Sequence, residues 1–269
     1  TRAVPASGAS FTVQVSPVAP GLGEETASFE LSYMLPPGAS FDVELGDRRL
    51  TVNAASSNDV ATSGIAHLEL SAPLRSQLTL LPRTGSPRLL NLVIERTSRA
   101  GVVVDASGID GARLETPLAW SEDALVAEVS RRAPELLVVA YGTNEAFDAL
   151  RVEKYEVQLA ELMRRLRRGA PAASCLVLGP TDAPLGDGSV PRVAEVSAAL
   201  QHGAAQQGCS YVSLQQLMGG EGSFARGMKI KERLCQLDKL HLTPRGYQEL
   251  GRALGKQLLD AYSAGRADL

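Results

Sequence analysis

From Phe11 to about Arg96 the chain alternates apolar and polar residues in short runs: Phe11–Val15, Ser28–Met34, Phe41–Leu45, Ile65–Leu70, Gln77–Leu81 and Leu89–Ile94. Gly, Pro, Asn and Ser separate the runs, and a period of two with such punctuation predicts antiparallel strands. Strands of this length and spacing build a two-sheet sandwich or jelly roll. After Arg99-Ala100-Gly101 the texture changes. Short apolar runs at Val102–Val104, Leu136–Ala140, Cys175–Leu178 and Tyr211–Leu214 alternate with helical patterns at Glu122–Arg131, Tyr155–Arg168, Val193–Gln206 and Pro244–Ala261. That order predicts an α/β fold, a parallel sheet with flanking helices. Two domains follow, an antiparallel β-sandwich over residues 1–98 and an α/β domain over 99–269. Arg164, Arg165, Arg167 and Arg168 close the second helix, where cations suit the helix dipole, and are expected to be a solvated helix end.

Composition narrows the picture. A net charge of −3 and a pI near 5.7 leave no basic surplus for a phosphate backbone, so nucleic acid is excluded as a partner class. No run reaches the roughly 20 apolar residues of a transmembrane helix. Neither an initiator Met nor a signal sequence stands at Thr1, and the expectation is that a segment upstream of Thr1 is missing. Cys175, Cys209 and Cys235 lack metal-type spacing and are expected to be buried free thiols. Cys175 and Cys209 each begin a predicted strand, so a bridge between them requires those strands to be neighbours.

Ligands gather at the carboxyl ends of the strands in a parallel α/β sheet, so the residues after each strand carry the functional information. Gly108 and Gly111 follow the first run, Tyr141-Gly142-Thr143-Asn144-Glu145 the second. Near the C-terminus Asp238 stands three residues before His241, just ahead of a helix that Thr243 and Pro244 can start. Ester hydrolysis needs a nucleophile, a base, a group that orients the base, and donors for the tetrahedral oxyanion. The chain offers the last three: His241 as base, Asp238 as its orienter, and the Gly111 N–H with the Asn144 amide as donors. Plainer readings exist. Asn144 can cap a helix, Gly108 and Gly111 can form a tight turn, and Asp110 and Arg113 read as solvated charges. Trp120 and Tyr141 serve either as sugar-stacking surfaces or as core, and His67 and His202 read as structural or solvent-facing.

Gly142 with Asn144, Asp238 with His241, and Gly108 with Gly111 resemble the third, fifth and second blocks of the SGNH (GDSL-type) hydrolases, in order and placement. Tyr141–Glu145, Leu178–Asp182, Met218–Gly220 and His241–Tyr247 are similar to bacterial extracytoplasmic members that carry an inserted β-sandwich. The resemblance implies a flavodoxin-like sheet whose first strand is missing, no metal or organic cofactor, and Gly142 and Gly108 in supporting roles. It also implies an acetylated polysaccharide, peptidoglycan included, as the ester substrate. The serine block is not present: Gly46-Asp47-Arg48-Arg49-Leu50 begins like it but reads as a sandwich hairpin, and Ser107, Ser189 and Ser223 lack a nucleophile elbow. The nucleophile is therefore expected before Thr1, with the chain alone nearly inactive. Two rivals remain open, an O-acetyltransferase using the same site and a non-catalytic glycan-binding protein.

Overall fold

A computed structural model describes residues 10–16, 21–54, 65–98, 101–149 and 151–267, with side chains to residue 264. Arg99 and Ala100, at the expected domain boundary, lie outside the described residues. The chain divides into two compact units, Thr1–Ala106 and Ser107–Leu269.

In the first unit the strands are β1 (Phe11–Val13), β2 (Thr26–Met34), β3 (Ser40–Leu45), β4 (Arg48–Asn53), β5 (Ala66–Pro73), β6 (Leu78–Thr84) and β7 (Arg88–Arg96). The six alternating runs form all of these except β4, which the segment after Gly46-Asp47, not among the runs, adds. They make a four-stranded sheet, order β1-β6-β3-β4, and a three-stranded sheet, order β5-β2-β7. All pairings are antiparallel. The period of two sends Ala27, Phe29 and Leu31 of β2 and Phe41, Val43 and Leu45 of β3 into one core with Leu78 and Leu80. Tyr33 meets Phe41 edge-on between the sheets, ring centroids 5.1 Å apart. Leu45 pairs with Arg48, so Gly46 and Asp47 are the turn between β3 and β4. The serine-block look-alike is thus a sandwich hairpin, as its sequence predicts.

The second unit holds a parallel sheet, order β12-β9-β8. Its elements are α1 (Glu115–Leu118), α2 (Glu122–Arg132), β8 (Leu136–Ala140), α3 (Glu153–Gly169), β9 (Ser174–Leu178), a small hairpin of β10 (Pro184–Leu185) and β11 (Gly188–Ser189), α4 (Pro191–Gln206), β12 (Ser210–Val212), α5 (Leu214–Leu217), α6 (Ser223–Lys229) and α7 (Pro244–Ala267). One face of the sheet, Leu137 and Val139 of β8 with Cys175 and Val177 of β9, packs on Tyr155, Leu159 and Met163 of α3 and Val196 and Leu200 of α4. The other face is covered only in part. Leu176, Leu178 and Val212 meet Leu214 and Leu217 of α5 and Leu254 of α7, while Leu136 and Val138 of β8 stay 45% and 50% exposed. Parallel strands normally carry cover on both faces. β8 has it on one, and among the described residues its outer edge pairs with no strand.

Three expectations need correction. Val102–Val104 is not a strand: the residues are 91%, 63% and 83% exposed and pair with nothing among the described residues. A run of three holds a strand only through a neighbour's hydrogen bonds, and here no neighbour supplies them. The arginines at the end of α3 are not merely solvated. Arg164 and Arg168 bond Glu122 at the start of α2, and Arg164 and Arg165 bond Glu161. Finally, Cys175 and Cys209 are bridged rather than free. Ser210 pairs with Leu176, which sets the two cysteines side by side on adjacent parallel strands with Cα atoms 4.9 Å apart. Denatured, unreduced protein is expected to titrate one thiol, that of buried Cys235. Reduction should cost about 3–4 kcal/mol of stability, by closure of a loop of 34 residues; three titratable thiols would contradict the bridge.

Candidate active site

Asp238 and His241 lie on a hairpin whose base is the antiparallel bridge between Cys235 and Leu242. Gln236 N–H donates to the His241 carbonyl at 2.9 Å, and Lys239 turns the chain at φ +64°. Inside the turn Asp238 Oδ1 accepts the backbone N–H groups of Leu240 and His241, each at 3.0 Å, while Oδ2 lies 2.8 Å from His241 Nδ1. Those backbone donors, the His241 N–H first, and the imidazole bond hold the Asp238 carboxyl down at about 2. The carboxylate therefore keeps the imidazole proton on Nδ1 and leaves Nε2 as the basic nitrogen, which has no hydrogen-bond partner among the described residues.

The hairpin sits on the start of α7. Thr243 Oγ1 accepts the Gly246 N–H at 3.1 Å, capping the helix, and Pro244 is its first residue, as the sequence predicts. A Cβ on Gly246 would fall 1.9 Å from the Leu234 carbonyl oxygen, so only glycine lets the helix approach the hairpin base this closely. Gly246→Ala is expected to destabilise the protein by about 3 kcal/mol and to displace the Asp238–His241 pair; an unchanged urea midpoint would show that the contact relaxes freely.

The other two predicted groups meet in a second cluster. Asn144 follows the carboxyl end of β8, and Gly111 turns at φ +72° in the exposed segment before α1. The Asn144 Nδ2 donates to the carbonyl of Ala112, the residue after Gly111, at 2.9 Å. Asn144 makes no side-chain cap to the Glu145–Phe147 turn that follows it, so its amide is committed to the glycine loop and retains a second N–H. Gly142, at φ +117°, has Pro180 Cδ and Leu200 Cδ1 2.9 and 3.1 Å from where a Cβ would stand, which fixes the start of the asparagine loop against the core. Gly108 is exposed and lacks a positive φ. The structure thus brings Asp238 to His241 and Asn144 to the Gly111 loop; no hydrogen bond among the described residues joins the two pairs.

Other chemistry-bearing groups are accounted for elsewhere. Ser189 and Ser223 both bond buried Asp182, and no serine hydroxyl bonds His241 among the described residues. Burial, and next the charge of Asp182, push the Cys235 thiol up to about 11, which keeps it from acting as a thiolate. His67 lies 3.1 Å from Ser32 Oγ and His202 3.0 Å from Glu156. Tyr141 packs on the α3–α4 core, whereas Trp120 is 38% exposed. Arg113 is not a free solvated charge but bonds Asp148 at 3.3 Å. Among the described residues no group of His, Cys, Asp and Glu could hold a metal ion.

Glu145 escapes sequence reasoning altogether. It is 1% exposed and bonds two backbone N–H groups, those of Gly142 and Leu114. The only signal was its place directly after the Gly-x-Asn block.

Residues 71–249, about two thirds of the chain, match the sequence profile of the GDSL-like lipase/acylhydrolase family. The chain belongs to that family. By family it is an ester hydrolase. No curated protein sequence matches it significantly. Among solved structures it is similar to a peptidoglycan O-acetylesterase, at 22% identity and a TM-score of 0.77, over 96% of this chain and 70% of that one. A carbohydrate acetylesterase from Sinorhizobium meliloti is matched at 16% identity and a TM-score of 0.39, over 52% of this chain and 67% of that one. The first likeness establishes the GDSL-type fold with an additional antiparallel β-structure. No helix among the described residues is long and apolar enough to cross a membrane.

Proposed function

We propose that this GDSL-family chain is the greater part of a serine carbohydrate esterase, which removes acetyl groups from cell-wall or other polysaccharide, and that its nucleophile comes from a segment upstream of Thr1. The observation that carries the reading is the Asp238–His241 pair, oriented for base catalysis, with Nε2 available and no serine on it among the described residues. The edge of β8, unpaired among the described residues, and its exposed face support it, since a further strand would pair the first and a helix after it would cover the second.

In the reaction the upstream serine hydroxyl attacks the acetyl carbonyl carbon while His241 Nε2 takes its proton. Asp238 stabilises the imidazolium, and the Gly111 N–H with the free N–H of Asn144 receive the oxyanion. Collapse breaks the bond to the sugar oxygen, which takes the proton back from His241. Water, deprotonated by the same imidazole, then releases acetate and restores the serine. The chain itself supplies everything but the attacking oxygen.

The polysaccharide substrate is supported by fold likeness to a peptidoglycan O-acetylesterase. An extracytoplasmic setting is supported by the Cys175–Cys209 bridge, since such bonds persist in oxidising compartments. The sandwich, residues 1–98, is read as a glycan-facing domain and residues 99–269 as the catalytic one. The chain extended upstream is expected to release acetate from O-acetylated peptidoglycan or acetylated xylan faster than it moves acetyl onto an added oligosaccharide. Preferential transfer to sugar would make it an acetyltransferase, and no turnover at all would favour a binding protein.

A further inference from the structure

Glu145 is a carboxylate in the interior that forms no ion pair among the described residues. Burying such a group costs several kcal/mol unless hydrogen bonds replace its water. Here each oxygen is claimed by a different loop: Oε2 accepts the Gly142 N–H at 2.9 Å and Oε1 the Leu114 N–H at 2.8 Å. The first loop carries Asn144 and the second leads from Gly111. Burial raises the carboxyl's pKa and the two N–H donors oppose that rise.

We propose that Glu145 is a positioning residue for acyl transfer, setting the spacing between the Gly111 N–H and the Asn144 amide. The inference rests on the reading of those two groups as oxyanion donors. Gly142 backs onto Pro180 and Leu200 so closely that no side chain fits between them. Glu145 hangs from Gly142 by one oxygen and holds Leu114 with the other. From Leu114 the chain runs back through Arg113 and Ala112 to Gly111, and Ala112 is gripped by Asn144 at 2.9 Å. Arg113 adds an outer tie to Asp148, which also accepts the Tyr155 hydroxyl at 2.5 Å. Neighbouring residues, Asn144 and Glu145, thus grip the glycine loop at Ala112 and Leu114. Only Glu145 also grips its own loop.

A packed apolar side chain would leave the Gly142 and Leu114 N–H groups without that acceptor; a carboxylate supplies two acceptors in one plane at a fixed separation. Glutamine has the same size but one acceptor. Its NH2 group would face a backbone N–H and push one loop away.

Glu145→Gln in the chain extended upstream is expected to lower kcat for p-nitrophenyl acetate at least about tenfold with KM little changed, since a displaced oxyanion donor loses transition-state binding only. Combined with Asn144→Ala, the second loss should be far smaller than in the wild-type background, because both act through one donor pair. Unchanged kcat, or losses that multiply independently, would overturn the proposal. Amide hydrogen exchange of the chain by itself provides a readout without catalysis. The Gly142 and Leu114 amides should be protected, and Glu145→Gln should speed their exchange while Val177 in the sheet stays protected. Exposed, fast-exchanging Gly142 and Leu114 amides in the wild type would overturn it even if the variant fails to fold. Activity that survives His241→Ala would instead sink the catalytic reading, and the exchange data would still decide whether Glu145 holds the loops.

Discussion

His241→Ala in the chain extended upstream is expected to reduce acetate release about ten-thousand-fold or more and to leave the urea midpoint almost where it was. The imidazole is 57% exposed and, among the described residues, its side chain bonds Asp238 alone; an exposed pair of this kind contributes little to stability. The chemical loss is large because His241 is the base that takes the serine's proton in the proposed reaction. Asp238→Asn should cost a similar factor by a different route. Its oxygen can still accept a backbone N–H, but its amide would face Nδ1 and favour the wrong tautomer, leaving Nε2 protonated. Asp238 titrates at about 2. The carboxylate is therefore ionised at any pH where the enzyme works and adds no acid limb of its own to the pH–rate profile. Titration of the Asp238 side-chain carboxyl within that working range, followed by NMR, would count against that geometry.

The other large effect is the gain from restoring the upstream segment. Residues 1–269 alone should hydrolyse activated acetyl esters at most feebly, because oxyanion donors and binding give only a residual rate without a nucleophile. Adding the segment that supplies the serine should raise turnover by about three or more orders of magnitude. It should also raise the urea midpoint, since a strand would pair the edge of β8 that carries none among the described residues, and a helix following that strand would cover Leu136 and Val138. Comparable turnover by the two chains would mean that the nucleophile already lies within residues 1–269.

The elements that sequence made legible are those with a strong period. Leu136–Ala140 is read to the residue because an apolar run between a helix and a glycine has few other uses, and the Asp238–His241 hairpin is legible through Thr243 and Pro244, which start α7. Val102–Val104 misleads for the converse reason: an apolar run looks the same whether or not a neighbour pairs with it. Tyr211–Leu214 is read as one strand, yet Ser213 caps α5 by accepting the Gln216 N–H, so Leu214 is already helical. That serine was the available signal. α6 carries Gly227 within Ser223–Lys229 and lacks a clear apolar stripe, so periodicity passes over it. The disulfide depends on which strands are neighbours, and the role of Glu145 on a side chain turning back to Gly142 while reaching Leu114, 31 positions away. Both are tertiary facts that the local sequence marks only by position, at a strand start for the cysteines and after the Gly-x-Asn block for Glu145.

The nucleophile's location is tested most directly by labelling the chain extended upstream with an organophosphate that modifies activated serines, then mapping the adduct by mass spectrometry. The adduct should fall on a serine upstream of Thr1, and His241→Ala should abolish labelling. A stoichiometric adduct on any serine within residues 1–269 would contradict the assignment.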